Sequence, residues 1–182
     1  MRKSIFKLIA VLFALFTIVG LSSCAMSKAN VYNYWKNGSS EYLSKDHIVE
    51  KISVNDLINK VNKQTKDDKN IYVFFGQTND DSSRSAIKIY NEQAIQYEID
   101  TLYWVDSEPV TKSTSDKNKM LEKLGVSKTD IIPSIFVFSN GTIAFDSSRP
   151  NIQNNEKLSN SNVYLAEVAF KGLYDENGYY AA

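Results

Sequence analysis

Apolar and polar positions along the chain predict strands and helices in alternation. The run Ile71–Phe75 is almost continuously apolar, which is typical of a strand that is buried on both faces. Asn140-Gly141 lies between two β-prone runs and is a strong hairpin signal. The remaining strand candidates are Ile48–Ile52, Leu102–Val105, Ser134–Phe138 and Thr142–Phe145.

The spacing of apolar residues between these strands predicts four helices. Ser53 and Asp56 resemble a capping box, and apolar residues at helical spacing follow them. The other helices are predicted from about 82 to 97, from Ser115 or Asp116 to a stop at Gly125, and from about 162 to 174. The order β-α-β-α-β-α-β-β-α predicts an α/β fold with a mixed central sheet and helices on both of its faces.

The first 23 residues have the pattern of a targeting segment. A basic start is followed by an apolar core, Leu8–Val19, which is shorter than the roughly 20 residues of a membrane span. The core ends in Leu21-Ser22-Ser23-Cys24, which resembles the lipobox of bacterial lipoproteins. That resemblance implies a signal peptide over residues 1–23 and a diacylglyceryl group on the Cys24 sulfur. Ordinary secretory cleavage around Ser23-Cys24-Ala25 is the alternative.

The single cysteine bounds both location and chemistry. Lipidation of Cys24 would anchor the protein at the outer face of the cytoplasmic membrane, with about 0.8 kcal/mol gained per buried CH₂ group. Because Cys24 is the only cysteine, a lipidated chain would have neither a free thiol nor an intramolecular disulfide. Loss of the three basic residues of the signal peptide leaves 18 Lys and Arg against 21 Asp and Glu, with no basic block. We therefore expect no nucleic-acid partner.

Residues 24–46 have the composition of a polar tether that lifts a domain off the bilayer. The segment also contains aromatic residues, which either pack on the domain or lie at the lipid interface, where Trp and Tyr are favoured. We favour packing on the domain. These aromatic residues are Tyr32, Tyr34, Trp35 and Tyr42. Residues 47–182 are then predicted to form one domain, which we expect to be monomeric.

Two motifs, together with the order of elements, resemble the thioredoxin fold over roughly residues 47–175. The segment Phe74–Arg84 is similar to the strand-to-helix turn of small secreted thioredoxin-like proteins of Gram-positive bacteria, including bacteriocin transport accessory proteins. In that family a Cys-x-x-Cys motif stands in this turn. Ile132-Pro133-Ser134, just before the predicted hairpin, matches the family's second motif. The resemblance implies a cis bond before Pro133 and a peptide-binding groove that includes Asp81, Ile132 and Pro133.

The two cysteines of the family motif are absent from this chain. Asp80 stands at the position of the first cysteine and Ser83 at the position of the second. Thiol–disulfide exchange needs a thiolate, and neither a carboxylate nor a hydroxyl forms a mixed disulfide. We therefore expect a protein that is not an enzyme and that lacks redox activity, cofactors and bound metal.

Asp80, Asp81 and Ser83 could have a structural role, a role in cation binding or a role in hydrolysis. Asp80 or Asp81 would cap a helix N-terminus, where Asp is favoured by about 1 kcal/mol over Ala. A divalent cation at the two carboxylates is a weaker hypothesis, since the spacing lacks the pattern of a calcium loop. A hydrolytic Ser83 would need an adjacent base, and the only histidine, His47, is predicted as a surface or strand-end residue.

These observations favour a lipid-anchored, extracytoplasmic accessory module that binds a secreted peptide or protein. A role in export, maturation or immunity of a bacteriocin is implied by the resemblance alone. Two alternatives stay open: a degenerate relative of thiol–disulfide oxidoreductases, and a structural surface lipoprotein whose groove has no function. The fold does not decide among them.

Overall fold

The computed structural model describes residues 27–37, 40–107, 122–126, 133–148 and 162–175. The helices are α1 (Lys28–Tyr34), α2 (Val54–Lys63), α3 (Asp81–Gln96) and α4 (Asn162–Lys171). The strands are β1 (Lys36–Asn37), β2 (Ser40–Glu41), β3 (Val49–Lys51), β4 (Ile71–Gly76), β5 (Leu102–Asp106), β6 (Ser134–Ser139) and β7 (Thr142–Asp146).

A five-stranded mixed sheet with the order β3-β5-β4-β6-β7 forms the centre of the protein. Strands β3, β5 and β4 are parallel to one another, whereas β6 runs antiparallel to β4 and β7 runs antiparallel to β6. Phe74 is paired with Trp104 on one side of β4 and with Ile135 on the other. This order and these directions confirm the predicted thioredoxin-like α/β fold.

Each face of the sheet is covered by helices, as predicted. Helices α1, α3 and α4 pack on one face, and α2 packs on the other with the described residues 122–126. Alternation along β4 divides its side chains between the two faces: Phe74 belongs to the first core, and Val73 and Phe75 belong to the second. The apolar run of β4 is therefore continuous because the strand is buried on both faces, as predicted.

Local sequence signals explain where several elements begin and end. The Ser53 hydroxyl accepts a hydrogen bond from the backbone N–H of Asp56, so the predicted cap of α2 is confirmed. Asn140 and Gly141 have φ angles of 52° and 75°, as the predicted two-residue hairpin requires. Gly125 has a φ of 70° directly after helical residues 122–124, which agrees with the predicted stop. The start of that helix lies outside the described residues.

The segment assigned to a tether is largely folded. Helix α1 packs against β3, and the side chains of Val31, Tyr32 and the C-cap residue Trp35 are buried in the core that α3 and α4 share. The favoured packing of these aromatic residues on the domain is thus confirmed for Tyr32 and Trp35. The folded residues begin by residue 28 rather than at residue 47, because burial of aromatic side chains outweighs the polar composition around them. Residues 24–26 lie outside the described part of the chain.

Of the two positions predicted for His47, surface or strand end, the structure has the strand end: His47 precedes β3 and is completely buried. Its Nδ1 accepts the backbone N–H of Val49 at 3.1 Å, so the ring proton lies on Nε2. Nε2 donates to the carbonyl oxygen of Lys28 at 3.0 Å. His47 therefore links the start of α1 to the start of β3, and both of its nitrogens have a structural partner.

Gly76, the last residue of β4, lies against an aromatic cluster. A Cβ atom at this position would come within 2.4 Å of Cε1 and Cζ of Phe74. The Phe74 ring is fully buried, with the ring centroids of Trp35 at 5.9 Å and Tyr90 at 5.5 Å. Because the ring has no free space into which to move, glycine is the residue that fits at position 76.

We predict that Gly76→Ala lowers the free energy of unfolding by about 1–3 kcal/mol, since the added methyl group overlaps the Phe74 ring. Urea denaturation of both proteins measures the difference. The matched control is the same substitution in a Phe74→Leu background, where the overlapping ring atoms are missing. There the cost of Gly76→Ala should fall, and an equal cost in both backgrounds would contradict this explanation.

Candidate functional site

The site that corresponds to the redox motif lies where β4 ends and α3 begins. The carbonyl oxygen of Gly76 accepts two hydrogen bonds there, from Trp104 Nε1 at 3.1 Å and from the backbone N–H of Ser107 at 3.2 Å. The turn is therefore attached to β5 by a side chain and by the backbone. The C-terminal ends of parallel strands are the usual position for ligand sites in α/β sheets.

Asp80 is the N-cap of α3, which confirms the predicted capping role. Its carboxylate accepts the backbone N–H of Ser83 at 2.6 Å and satisfies one of the free donors of the first turn. The carboxylate also lies at the positive end of the helix dipole, which favours its negative charge. A carboxylate thus lies at the start of α3, where the sequence resemblance predicts the first cysteine of a thioredoxin-like protein.

Ser83 lies beneath the turn and is completely buried. Its Oγ accepts the backbone N–H of Gln77 at 3.1 Å. His47 lies at the other edge of the sheet, at the start of β3, and both of its ring nitrogens already have partners. His47 therefore cannot act as a general base for Ser83, whose hydroxyl closes the turn.

Asp81 is the exposed acidic group of the site. Its side chain is 92% exposed and forms an ion pair of 2.5 Å with Arg84. The Arg84 side chain is only 14% exposed, because its Nε also donates to the carbonyl oxygen of Thr78 at 2.7 Å. The ring of Tyr42 lies 5.7 Å from the guanidinium group. A residue of the N-terminal segment therefore forms one side of the site, which the sequence did not indicate.

Pro133 lies at the same edge of the sheet as the turn. Phe75, near the end of β4, is paired with Ser134, the first residue of β6. Pro133 directly precedes Ser134 and therefore lies beside the end of β4. Its side chain is half-buried. Ile132, the other predicted groove residue from this motif, lies outside the described residues, and so does the bond that joins it to Pro133. Asp81, at the start of α3, and Pro133 thus lie at the same edge of the sheet, and the groove that they would share stays a prediction.

Within the described part of the chain, two buried donors near this edge have no hydrogen-bond partner: the indole Nε1 of Trp35 and the hydroxyl of Ser107. Ser107 follows β5 directly, next to the carbonyl of Gly76. Trp35 packs on Trp104 with ring centroids 4.9 Å apart. A buried polar group without a partner costs roughly 1–3 kcal/mol, which makes both groups notable features of this edge. Nothing in the sequence around either residue indicated this.

Some classes of site are not found in the described residues. In these ranges no three His, Cys, Asp or Glu side chains are grouped so that they could hold a metal ion. None of the helices in the same ranges is both long and apolar enough to cross a membrane. Cys24, the predicted lipidation site, lies outside them.

Comparison with known proteins shows no family for this chain. None of the family models matches the chain, and no curated protein matches it. A solved structure described as "A putative oxidoreductase with a thioredoxin fold" is similar over 66% of this chain and 94% of its own chain, at 18% identity and a TM-score of 0.43. The activity in that description belongs to that protein. The thioredoxin-like fold of this chain is assigned from its strand order and strand directions.

The turn leads to a prediction about the missing cysteines. Asp80 and Ser83 occupy the N-cap and the third position of α3, and residues three apart on a helix face one another at about 5–6 Å between Cβ atoms. This separation suits a disulfide, which needs Cα atoms within about 7 Å. We predict that the double variant Asp80→Cys, Ser83→Cys forms an intramolecular disulfide under mild oxidant, as measured by thiol titration.

The unchanged mature protein is the control for this variant, and it should neither reduce insulin nor oxidise a dithiol peptide. The Asp80→Cys single variant should give one titratable thiol and no internal disulfide. If both thiols of the double variant stay free in oxidant, the correspondence between these positions and the redox motif is wrong.

Proposed function

We propose that this thioredoxin-fold protein is a binding module without redox activity, held at the outer face of the cytoplasmic membrane. The observation that carries the proposal is the state of the turn between β4 and α3. Asp80 and Ser83 each make a hydrogen bond that completes this turn. The shape of a redox turn is thus maintained by residues that cannot exchange disulfides.

The same edge of the sheet has features that suit recognition of an extended peptide. Pro133 is half-buried, Asp81 is almost fully exposed, and Ser107 offers a buried hydroxyl without a partner. Convergent polar groups beside apolar surface are typical of binding sites. We infer that a secreted peptide or protein is the ligand, and that it lies along the edge between the start of α3 and Pro133.

The lipid anchor and the association with bacteriocins are the less direct parts of the proposal. The anchor is supported by the apolar segment that ends at the lone Cys24. The bacteriocin role, in export, maturation or immunity, is supported by the resemblance of the segment Phe74–Arg84 alone. The binding edge itself requires neither, so the experiments below test binding and anchoring separately.

Binding at this edge can be tested by reversing one charge. Peptides are first selected on the mature protein from a phage-displayed library, and their affinity is then measured for Asp81→Lys and for Asp67→Lys. Both side chains are exposed, but Asp67 lies in the loop before β4, at the opposite edge of the sheet. We predict that Asp81→Lys changes the affinity by about tenfold, which corresponds to 1.4 kcal/mol, while Asp67→Lys leaves it nearly unchanged.

Equal effects of the two charge reversals would place the peptide elsewhere on the protein. Failure to select any peptide would favour the structural surface lipoprotein, the alternative in which this edge has no ligand.

The anchor can be tested by removing the sulfur. We predict that Cys24→Ala either releases the protein from the membrane fraction or stalls its processing, because the acyl chains supply the membrane affinity. The folded residues should be unaffected, as measured by an unchanged urea midpoint. A variant that still sediments with membranes after an alkaline wash would show that another interaction holds the protein there.

A further inference from the structure

We propose that the protein sits on the bilayer in one orientation, with the N-terminal edge of its parallel strands facing the lipid and the Asp80 turn facing away. The interaction surface, here called the proximal edge, consists of the loops that precede β3, β4 and β5 and the β6–β7 hairpin turn. The partner is the headgroup surface of the membrane. This inference rests on the proposed lipid anchor at Cys24.

The direction of α1 follows from the contacts at its two ends. At its start, the carbonyl oxygen of Lys28 accepts the hydrogen bond from His47, which precedes β3. At its end, Tyr34 lies 6.0 Å from Trp104 and beneath the ammonium group of Lys51, the last residue of β3. Helix α1 therefore runs parallel to β3, and its first residue lies at the proximal edge.

The neighbouring helix gives an independent check on this direction. Helix α3 begins at the Asp80 turn, and ten residues later Asn91 accepts the backbone N–H of Ile48 at the start of β3. It thus descends from the turn towards the proximal edge. The chain after α1 stays near the turn, where Tyr42 contacts Arg84, and then returns to His47. The start of α1 and the turn are therefore at opposite ends of the protein.

The distance from the lipid to the start of α1 is short. Ser27 is already held by the helix, because its carbonyl oxygen accepts the backbone N–H groups of Asn30 and Val31. From Cys24 to Ser27 there are three steps along the chain, which span at most about 11 Å. The turn lies further away by the length of β4, roughly 17 Å from Ile71 to Gly76. An anchor this short keeps the start of α1 within about 11 Å of the lipid, and the turn lies further away when the parallel strands point away from the bilayer.

Surface charge does not provide an alternative cause for this orientation. The proximal loops and the first residue of α1 carry four lysines and five carboxylates, all of them exposed. They are Lys28, Lys45, Lys66 and Lys69, and Asp46, Asp67, Asp68, Glu98 and Asp100. Attraction to anionic lipid needs an excess of basic residues, which this edge lacks. The position of the anchor is therefore the cause that the proposal assigns to the orientation.

The experiment uses the lipidated mature protein in vesicles of phosphatidylcholine that contain a small fraction of an acceptor dye on the lipid headgroup. Because a lipidated Cys24 has no free thiol, an introduced cysteine is the only site that a donor dye labels. The labelled variants are Asp67→Cys at the proximal edge, Lys88→Cys on the exposed side of α3, and Asn79→Cys in the turn. We expect the transfer efficiency to fall in that order, with at least about a twofold difference between Asp67→Cys and Asn79→Cys.

A control protein with about 20 Gly and Ser residues inserted after Ala25 should lose most of this difference, since such a linker reaches roughly 25 Å on average. Vesicles that contain phosphatidylglycerol should give the same order as neutral vesicles. Equal or reversed efficiencies on vesicles that carry the protein would overturn the orientation alone. If none of the labelled proteins floats with the vesicles, the lipid anchor itself is overturned, and the orientation with it.

Discussion

The buried ring of Phe74 occupies the space that a side chain at position 76 would need, and this contact determines how the turn after β4 is built. Because residue 76 is a glycine, its carbonyl oxygen can approach β5 closely and accept the indole N–H of Trp104. Trp35 then packs on both Phe74 and Trp104, so the N-terminal helix is fixed by the same aromatic cluster. The turn is thus held by aromatic packing, without any contribution from a disulfide.

Loss of the two cysteines changes the chemistry of the turn more than its electrostatics. A helix N-terminus favours a negative charge, and in a redox protein a thiolate benefits from this effect. In this chain the Asp80 carboxylate takes that place and also accepts the N–H of Ser83. The anion and the shape of the helix start are both present, whereas the ability to form a covalent sulfur bond is not. This combination supports the binding role that we propose for the turn.

The regular elements could be predicted because their signals are local. The periodicity of β4, the Ser53 cap and the Asn140-Gly141 turn each depend on a few neighbouring residues. Helix α1 was not predicted, since seven residues form a marginal helix and its stability comes from side chains buried against the sheet. His47 is similar, because its burial depends on the carbonyl of Lys28, 19 residues earlier in the chain.

In the site, too, the features with local signals could be predicted and those that depend on tertiary packing could not. The capping role of Asp80 follows from helix chemistry over three residues, but the burial of Ser83 and the unpartnered hydroxyl of Ser107 depend on the tertiary packing around them. The N-terminal segment also contributes to the site, through Tyr42 on Arg84, while its first helix starts at the opposite edge. This one segment therefore spans the sheet from the start of β3 to the turn, so the same packed residues connect its two opposite edges.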